Sequence, residues 1–226
     1  MDLESLAAVR ESALDYFNRS RALQRRRARM ERPGTDEADE AEGWQDIAAL
    51  GWPGMLAPES AGGLALGLDG AAEIFRAAGE HAAPEPLLAV AGLGALLLAR
   101  LGTPGADALL AELVAGRSLP ALAWQESAGD LSAVPLACGC ERRSGGGVLL
   151  QGEKLMALPG AAASGWLVSA RGEDDAVLLW VPRGTEGVSE TPVPLIDGSQ
   201  ASNLRFEQVA LPAGAVLAEG PAAQEA

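Results

Sequence analysis

The chain has 226 residues, of which 48% are hydrophobic but only 4% aromatic, and a formal net charge of −14. That length allows one large domain or two small ones. The charge would repel a phosphate backbone, so nucleic acid is not an expected partner, and the plain reading of the acidity is solubility. The apolar mass is mostly Ala, Leu and Val, which suits closely packed helices.

Met1-Asp2-Leu3-Glu4 lacks the basic and then apolar pattern of a signal peptide. The longest apolar run, Pro86 to Ala99, lies between Glu85 and Arg100. It is shorter than the ~20 residues a membrane span needs, so it reads as a buried helix and no membrane association is expected. Cys138 and Cys140 are separated by one residue. Side chains two apart on a strand point the same way, so a disulfide between them would be strained. With one His in the chain they also make a poor zinc site. Reduced structural thiols, no metal and a cytoplasmic location are the expectation.

In chain order, residues 3 to about 30 are helical by period, with Leu3, Leu6, Val9, Ala13, Leu14, Phe17 and Leu23 near one face. The segment ends in a run of arginines from Arg19 to Arg32, read as a solvated helix end that favours the dipole. Turn formers and acids from Arg32 to Glu42 read as a mobile, solvated loop, followed by a short helix from about Gly43 to Leu50. Helical spacing returns over Leu68 to Ala78. Leu87 to Leu101 is almost uniformly apolar and is expected at the centre of the bundle. Pro104 to Ala115 gives a further helix, with Pro at its start.

At about Ser118 the period changes. Ala121 to Gln125 has strand length, and Val134 to Glu141 with Val148 to Gln151 reads as a hairpin around Gly145-Gly146-Gly147. Trp166 to Ala170, Val177 to Val181 and Leu204 to Leu211 add strands, and the tail from Ala213 to Ala226 has linker composition. The expected fold class is therefore α+β: an N-terminal helical bundle, residues 1–117, followed by a small antiparallel β-barrel or sandwich, residues 118–226.

Standard catalytic constellations are missing. There is no phosphate-loop signature and no Gly-x-Ser-x-Gly elbow, and Gly92-Leu93-Gly94 lacks the third Gly of a dinucleotide motif. His81 reads as a capping or surface residue, and Glu126 as a structural hydrogen-bonding group. By themselves Trp124 and Trp166 read as core aromatics, and Asp130 as a turn or cap residue.

The stretch Gly51-Trp52-Pro53-Gly54-Met55-Leu56-Ala57-Pro58-Glu59-Ser60-Ala61-Gly62-Gly63 resembles the Pro-Glu loop of the acyl-CoA dehydrogenases. Its prolines and paired glycines could hold a shaped edge to a pocket. Four further segments resemble that family in the right order: Gly79 to Leu88, Ala121 to Asp130, Gly152 to Arg171, and Asp197 to Pro212. The resemblance spans roughly residues 40 to 220.

The resemblance implies the family's N-terminal helical and middle β domains, without its C-terminal helical domain. It implies α,β-dehydrogenation of an acyl thioester, acyl-CoA above all, with FAD as cofactor. No catalytic residue is assigned in this chain, because the family's catalytic Glu lies in the C-terminal domain. The family's cofactor positions fall on Leu122, Trp124, Gln125, Gly129, Asp130, Met156 and Leu158. Met156 stands where the family has a Trp, and Leu158 where it has a Thr. The acyl chain is expected beside the Pro58 to Gly63 loop and Gln125 to Asp130. Two roles follow: a dehydrogenase-like flavoprotein completed by another domain or chain in a homo- or hetero-oligomer, or a non-catalytic partner subunit with a degraded flavin site. A truncated fragment is a third reading.

Overall fold

A computed structural model describes residues 2–31, 37–129, 137–173 and 175–224 of the chain. Helix α1 (Leu3–Arg19) starts where the Asp2 carboxylate accepts the Ser5 N–H at 2.8 Å. It does not run on to residue 30 as its period suggests. Arg21 takes a left-handed φ of 52°, which breaks the helix, and α2 (Ala22–Glu31) leaves in a new direction. Tyr16 and Phe17 at the end of α1 pack on Trp52, with ring centroids 5.3 and 5.5 Å away.

Helix α3 (Glu37–Ala49) corrects the expected loop and late helix start. Residues 32–36 lie outside the described residues, but 37–42 are already helical. Acids in a first turn are favourable against the helix dipole, so this charge run marks a helix start. The Pro-Glu loop forms two short 3-10 turns, Trp52–Gly54 and Glu59–Ala61. A Cβ on Gly54 would come within 2.9 Å of Val114, so the loop braces the last helix of this half. It does not border the cleft described below.

Helix α4 (Gly67–Glu80) is followed by a π-helical turn over Leu88–Gly94 that feeds α5 (Ala95–Leu101). This apolar segment is not wholly central. Val90, Ala91, Ala95 and Leu98 are buried, whereas Leu88, Leu93 and Leu96 stay 62%, 50% and 40% exposed. One face of the helix has core to pack on and the other has none. Helix α6 (Pro104–Val114) is capped by Thr103, whose hydroxyl also donates to the Leu217 carbonyl at 3.0 Å.

The second half is one curled sheet: β1 (Pro120–Ala123), β2 (Gly139–Arg142), β3 (Val148–Ala157), β4 (Gly165–Arg171), β5 (Ala176–Pro182), β6 (Val188–Pro194), β7 (Gln200–Leu211) and β8 (Val216–Glu219). The order is β6-β7-β3-β2-β4-β5-β8, with β1 paired to β4. Pairing is mostly antiparallel, but β1 and β2 both run parallel to β4. The hairpin β2–β3 closes as expected, with the Arg143 N–H on the Gly147 carbonyl at 2.8 Å. The part of its first strand expected over 134–136 lies outside the described residues. The sequence reading missed β6 and β8. The tail read as linker carries β8, paired with β5, and a short helix α7 (Pro221–Gln224). β6 is largely polar and has no apolar run, and β8 is only four residues long.

Strand β4 shows how the two halves share one molecule. Trp166 and Val168 point into a core enclosed by the sheet with Leu150, Leu179 and Phe206. Leu167, on the other face, joins Leu178 and Leu217 in the helical core around Trp44, Ile74, Leu98 and Leu113.

A Cβ on Gly63 would lie 2.2 Å from the Ala57 carbonyl oxygen, a contact backbone cannot relieve cheaply. Gly63→Ala is expected to destabilise the chain by about 1–3 kcal/mol, read as a lower urea midpoint with unchanged slope.

Candidate functional site

The site is built around a buried cation. Lys154 on β3 has no exposed surface. Its ammonium donates to the Trp124 carbonyl at 3.1 Å, Glu126 Oε1 at 2.9 Å and Ser169 Oγ at 3.2 Å. All three protons are therefore placed. Glu126 also accepts the N–H groups of Ala137 at 2.7 Å and Cys138 at 3.1 Å. Burying such a pair costs several kcal/mol per ion, offset only when every lone pair and proton is satisfied. Here that satisfaction ties the end of β1 to β3, β4 and the entry to β2. Glu126 is thus a structural group, in line with its sequence reading.

The same tie orients the chain on either side. The Gln125 carbonyl accepts the Leu155 N–H at 2.7 Å, and Leu122 bridges Leu158. Met156 takes a φ of 56° and donates its N–H to Asn203 Oδ1 at 3.1 Å. That kink sets Met156 and Leu158, both more than a third exposed, on one wall of an open cleft between the sheet and the helices.

The cleft holds about 310 Å³. Leu122, Trp124, Met156 and Leu158 form its sheet side, and Leu88 and Leu93 its helical side. Its far end is polar, with Arg26, Asp197, Ser199 and Gln200. A few polar groups in a mostly apolar concavity are what a small-molecule site offers. Gly160 lets the turn after Pro159 lie on β7: its N–H reaches the Gln200 carbonyl at 2.8 Å, and a Cβ there would stand 2.8 Å from the Ala201 carbonyl carbon.

Four of the seven positions expected to hold a cofactor, Leu122, Trp124, Met156 and Leu158, come together in this cleft. Gln125 and Gly129 do not line it. The Gln125 amide instead donates to the Ser127 carbonyl at 3.0 Å, and Gly129 occupies an exposed left-handed turn position with φ 80°. Asp130 lies outside the described residues.

The sequence reading missed the arginines. Arg26 donates through Nε to the Ala82 carbonyl at 2.7 Å and through Nη2 to the Ala83 carbonyl at 2.5 Å. Its Nη1 reaches the Asp197 carbonyl and lies 3.3 Å from the Asp197 carboxylate. Arg29, buried, donates to the Pro84 carbonyl at 3.1 Å, and Arg25 pairs with buried Glu85. The end of α2 is therefore no solvated helix end. It clasps the turn at 82–85 and the β6–β7 turn, closing one end of the cleft. The signal was available in Arg26 and Arg29, three apart and so on one face. Burial pushes the Asp197 carboxyl up, but the Ser199 hydroxyl and amide and the Arg26 guanidinium outweigh it and hold its pKa below the usual value.

Both cysteines are free and buried, and burial pushes each thiol up to about 11. Among the described residues no group of three or more His, Cys, Asp or Glu could hold a metal. No helix there is long and apolar enough to cross a membrane.

No protein-family model matches the chain, and no curated protein does. Solved structures do. A Tcur3481–Tcur3483 steroid ACAD variant is 29% identical, with a TM-score of 0.82, over 98% of this chain and 58% of that one. The ChsE4–ChsE5 complex from Mycobacterium tuberculosis is 20% identical, with a TM-score of 0.84, over 100% and 59%. An acyl-CoA dehydrogenase complexed with FAD from Bacillus anthracis is 20% identical, with a TM-score of 0.85, over 97% and 38%. A helical unit running into a mostly antiparallel sheet, with a cleft between them, is the arrangement these solved chains share. The chain resembles the acyl-CoA dehydrogenases in their N-terminal helical and middle β domains. It spans less than two thirds of the length of these solved chains.

The residues present fit one face of a flavin ring. Leu122, Trp124, Met156 and Leu158 give a flat system an apolar wall, and Trp124 and Gln200 have side-chain polar groups with no hydrogen-bond partner among the described residues.

Removing the buried cation should expose its role. Lys154→Met leaves Glu126 as an uncompensated charge and is expected to cost about 3–5 kcal/mol, whereas Lys154→Met with Glu126→Gln should recover much of it. Urea unfolding of the two variants checks this.

Proposed function

We propose that the chain supplies the helical and β domains of an acyl-CoA dehydrogenase-like flavoprotein, divided near residues 117 and 118, and that a further helical domain or partner chain completes the site. The observation that carries this reading is the convergence of Leu122, Trp124, Met156 and Leu158 in one cleft at the junction of helices and sheet. An FAD ring against that wall would supply the hydride acceptor for α,β-dehydrogenation of an acyl thioester. This chain's own residues hold the ring and shape the cleft, and no general base is assigned to them.

Two features support an oligomer with a second dehydrogenase-like chain. Leu88, Leu93 and Leu96 form an exposed apolar helical face continuous with the cleft, a surface that calls for cover. Two of the similar structures are of paired chains by their names. The steroid ACAD among them supports a polycyclic acyl group as the substrate class. Reduced, buried thiols fit a cytoplasmic setting.

A second reading, a non-catalytic subunit that props up a flavin-bearing partner, draws on one observation. Met156 and Leu158 bring no strong hydrogen-bonding side chain to the sheet side of the cleft, and Gln125 turns its amide away to Ser127. Titration of the purified chain with FAD, followed by absorbance, separates the two. The first reading predicts saturable binding that Trp124→Ala weakens about two- to tenfold through lost aromatic contact. Flavin bound only when a dehydrogenase-like partner chain is added, and then unaffected by Trp124→Ala in this chain, would leave the second.

A further inference from the structure

The polar end of the cleft has a chemistry of its own. Gln200 is the first residue of β7, opposite Pro194, and the turn behind it is closed by the Leu195 N–H on the Ser199 carbonyl at 2.9 Å. Its own carbonyl is fixed by the Gly160 N–H at 2.8 Å. The backbone is therefore held from both sides, while the half-buried side-chain amide has no partner among the described residues. The neighbouring polar groups are already committed. Arg26 is engaged by two carbonyls and by Asp197, and the Ser199 hydroxyl donates to Asp197 Oδ1 at 2.6 Å.

We propose that Gln200 is a recognition residue whose amide donates to a neutral carbonyl oxygen on a flat polycyclic body lying against Trp124, Met156 and Leu158. This rests on the reading of the cleft as a ring-binding site. An anion is disfavoured because the two cations that line the cleft are committed, Arg26 to Asp197, whose carboxylate would repel it, and buried Arg29 to the Pro84 carbonyl. A cation would have to displace Arg26 from that carboxylate. A carbonyl asks only for the donor that Gln200 has free. Such a carbonyl belongs to two candidate bodies, the pyrimidine ring of a flavin or a keto group of a steroid-like acyl unit. A site that donates to an oxygen also rejects the analogue lacking it, because its polar group is then buried without a partner.

The test uses the full chain and three probes: lumiflavin, androstenedione, and androstane, which has no oxygen. Quenching of tryptophan or flavin fluorescence reads binding. Gln200→Leu should weaken one carbonyl-bearing probe about three- to tenfold and leave androstane bound as tightly as before or tighter, since no unpaired amide is then buried against it. Gln200→Glu keeps the side-chain size but, ionised, cannot donate, and should give the same loss if the leucine variant folds poorly. A loss confined to lumiflavin names the flavin as the source of the carbonyl, and one confined to androstenedione names the substrate. The inference is overturned if both variants bind the carbonyl probes as tightly as the wild type, or if androstane weakens equally. If neither ring binds the wild-type chain, the ring-binding reading itself fails and takes this inference with it.

Discussion

A lysine with no exposed surface can keep its charge only where every proton is placed and a counter-charge is at hand. Lys154 meets that condition through Glu126, Ser169 and the Trp124 carbonyl. The partners come from the exit of β1, from β4 and, through Glu126, from the backbone entering β2. One buried pair therefore fixes the relative positions of four segments. The wall of the cleft, Leu122 and Trp124 beside Met156 and Leu158, follows from that constraint, since each of these residues lies within four positions of Lys154 or Glu126.

A second set of charges works from the helical side. Arg25, Arg26 and Arg29 spend their donors on Glu85, on the carbonyls of Ala82, Ala83 and Pro84, and on the β6–β7 turn. The sheet wall and the helical wall are thus each locked by buried cations, and Arg26 spans the gap between them. The cleft stays open where Leu88, Leu93 and Leu96 remain bare. Under the proposed function, that is the direction from which a further domain or chain would cover the cleft.

Much of the architecture was legible in the sequence because it rests on period. Residues 67–80 and 104–114 repeat apolar groups at helical spacing, and strands β4 and β5 are mostly apolar runs, β4 interrupted at Ser169. What was not legible depends on tertiary partners. The arginine run looks solvated until the turn at 82–85 is packed against it. The acids of 37–42 look like a loop unless they are credited to a helix dipole. Strand β6, with Glu190 and two prolines, pairs with β7 without an apolar signature. Of the site, the family pattern located the sheet wall, whereas Gln200 and Arg26 carry no motif. Their position follows from the register of β7 and from the break at Arg21.

The central claim is that the junction of helices and sheet is a ring-binding cleft. Hydrogen–deuterium exchange of the full chain with and without FAD tests it most directly. The account predicts slowed exchange confined to residues 26–29, 84–93, 122–124, 156–162 and 197–200, the segments that line the cleft. Protection elsewhere in the chain, or none at saturating FAD, would contradict it.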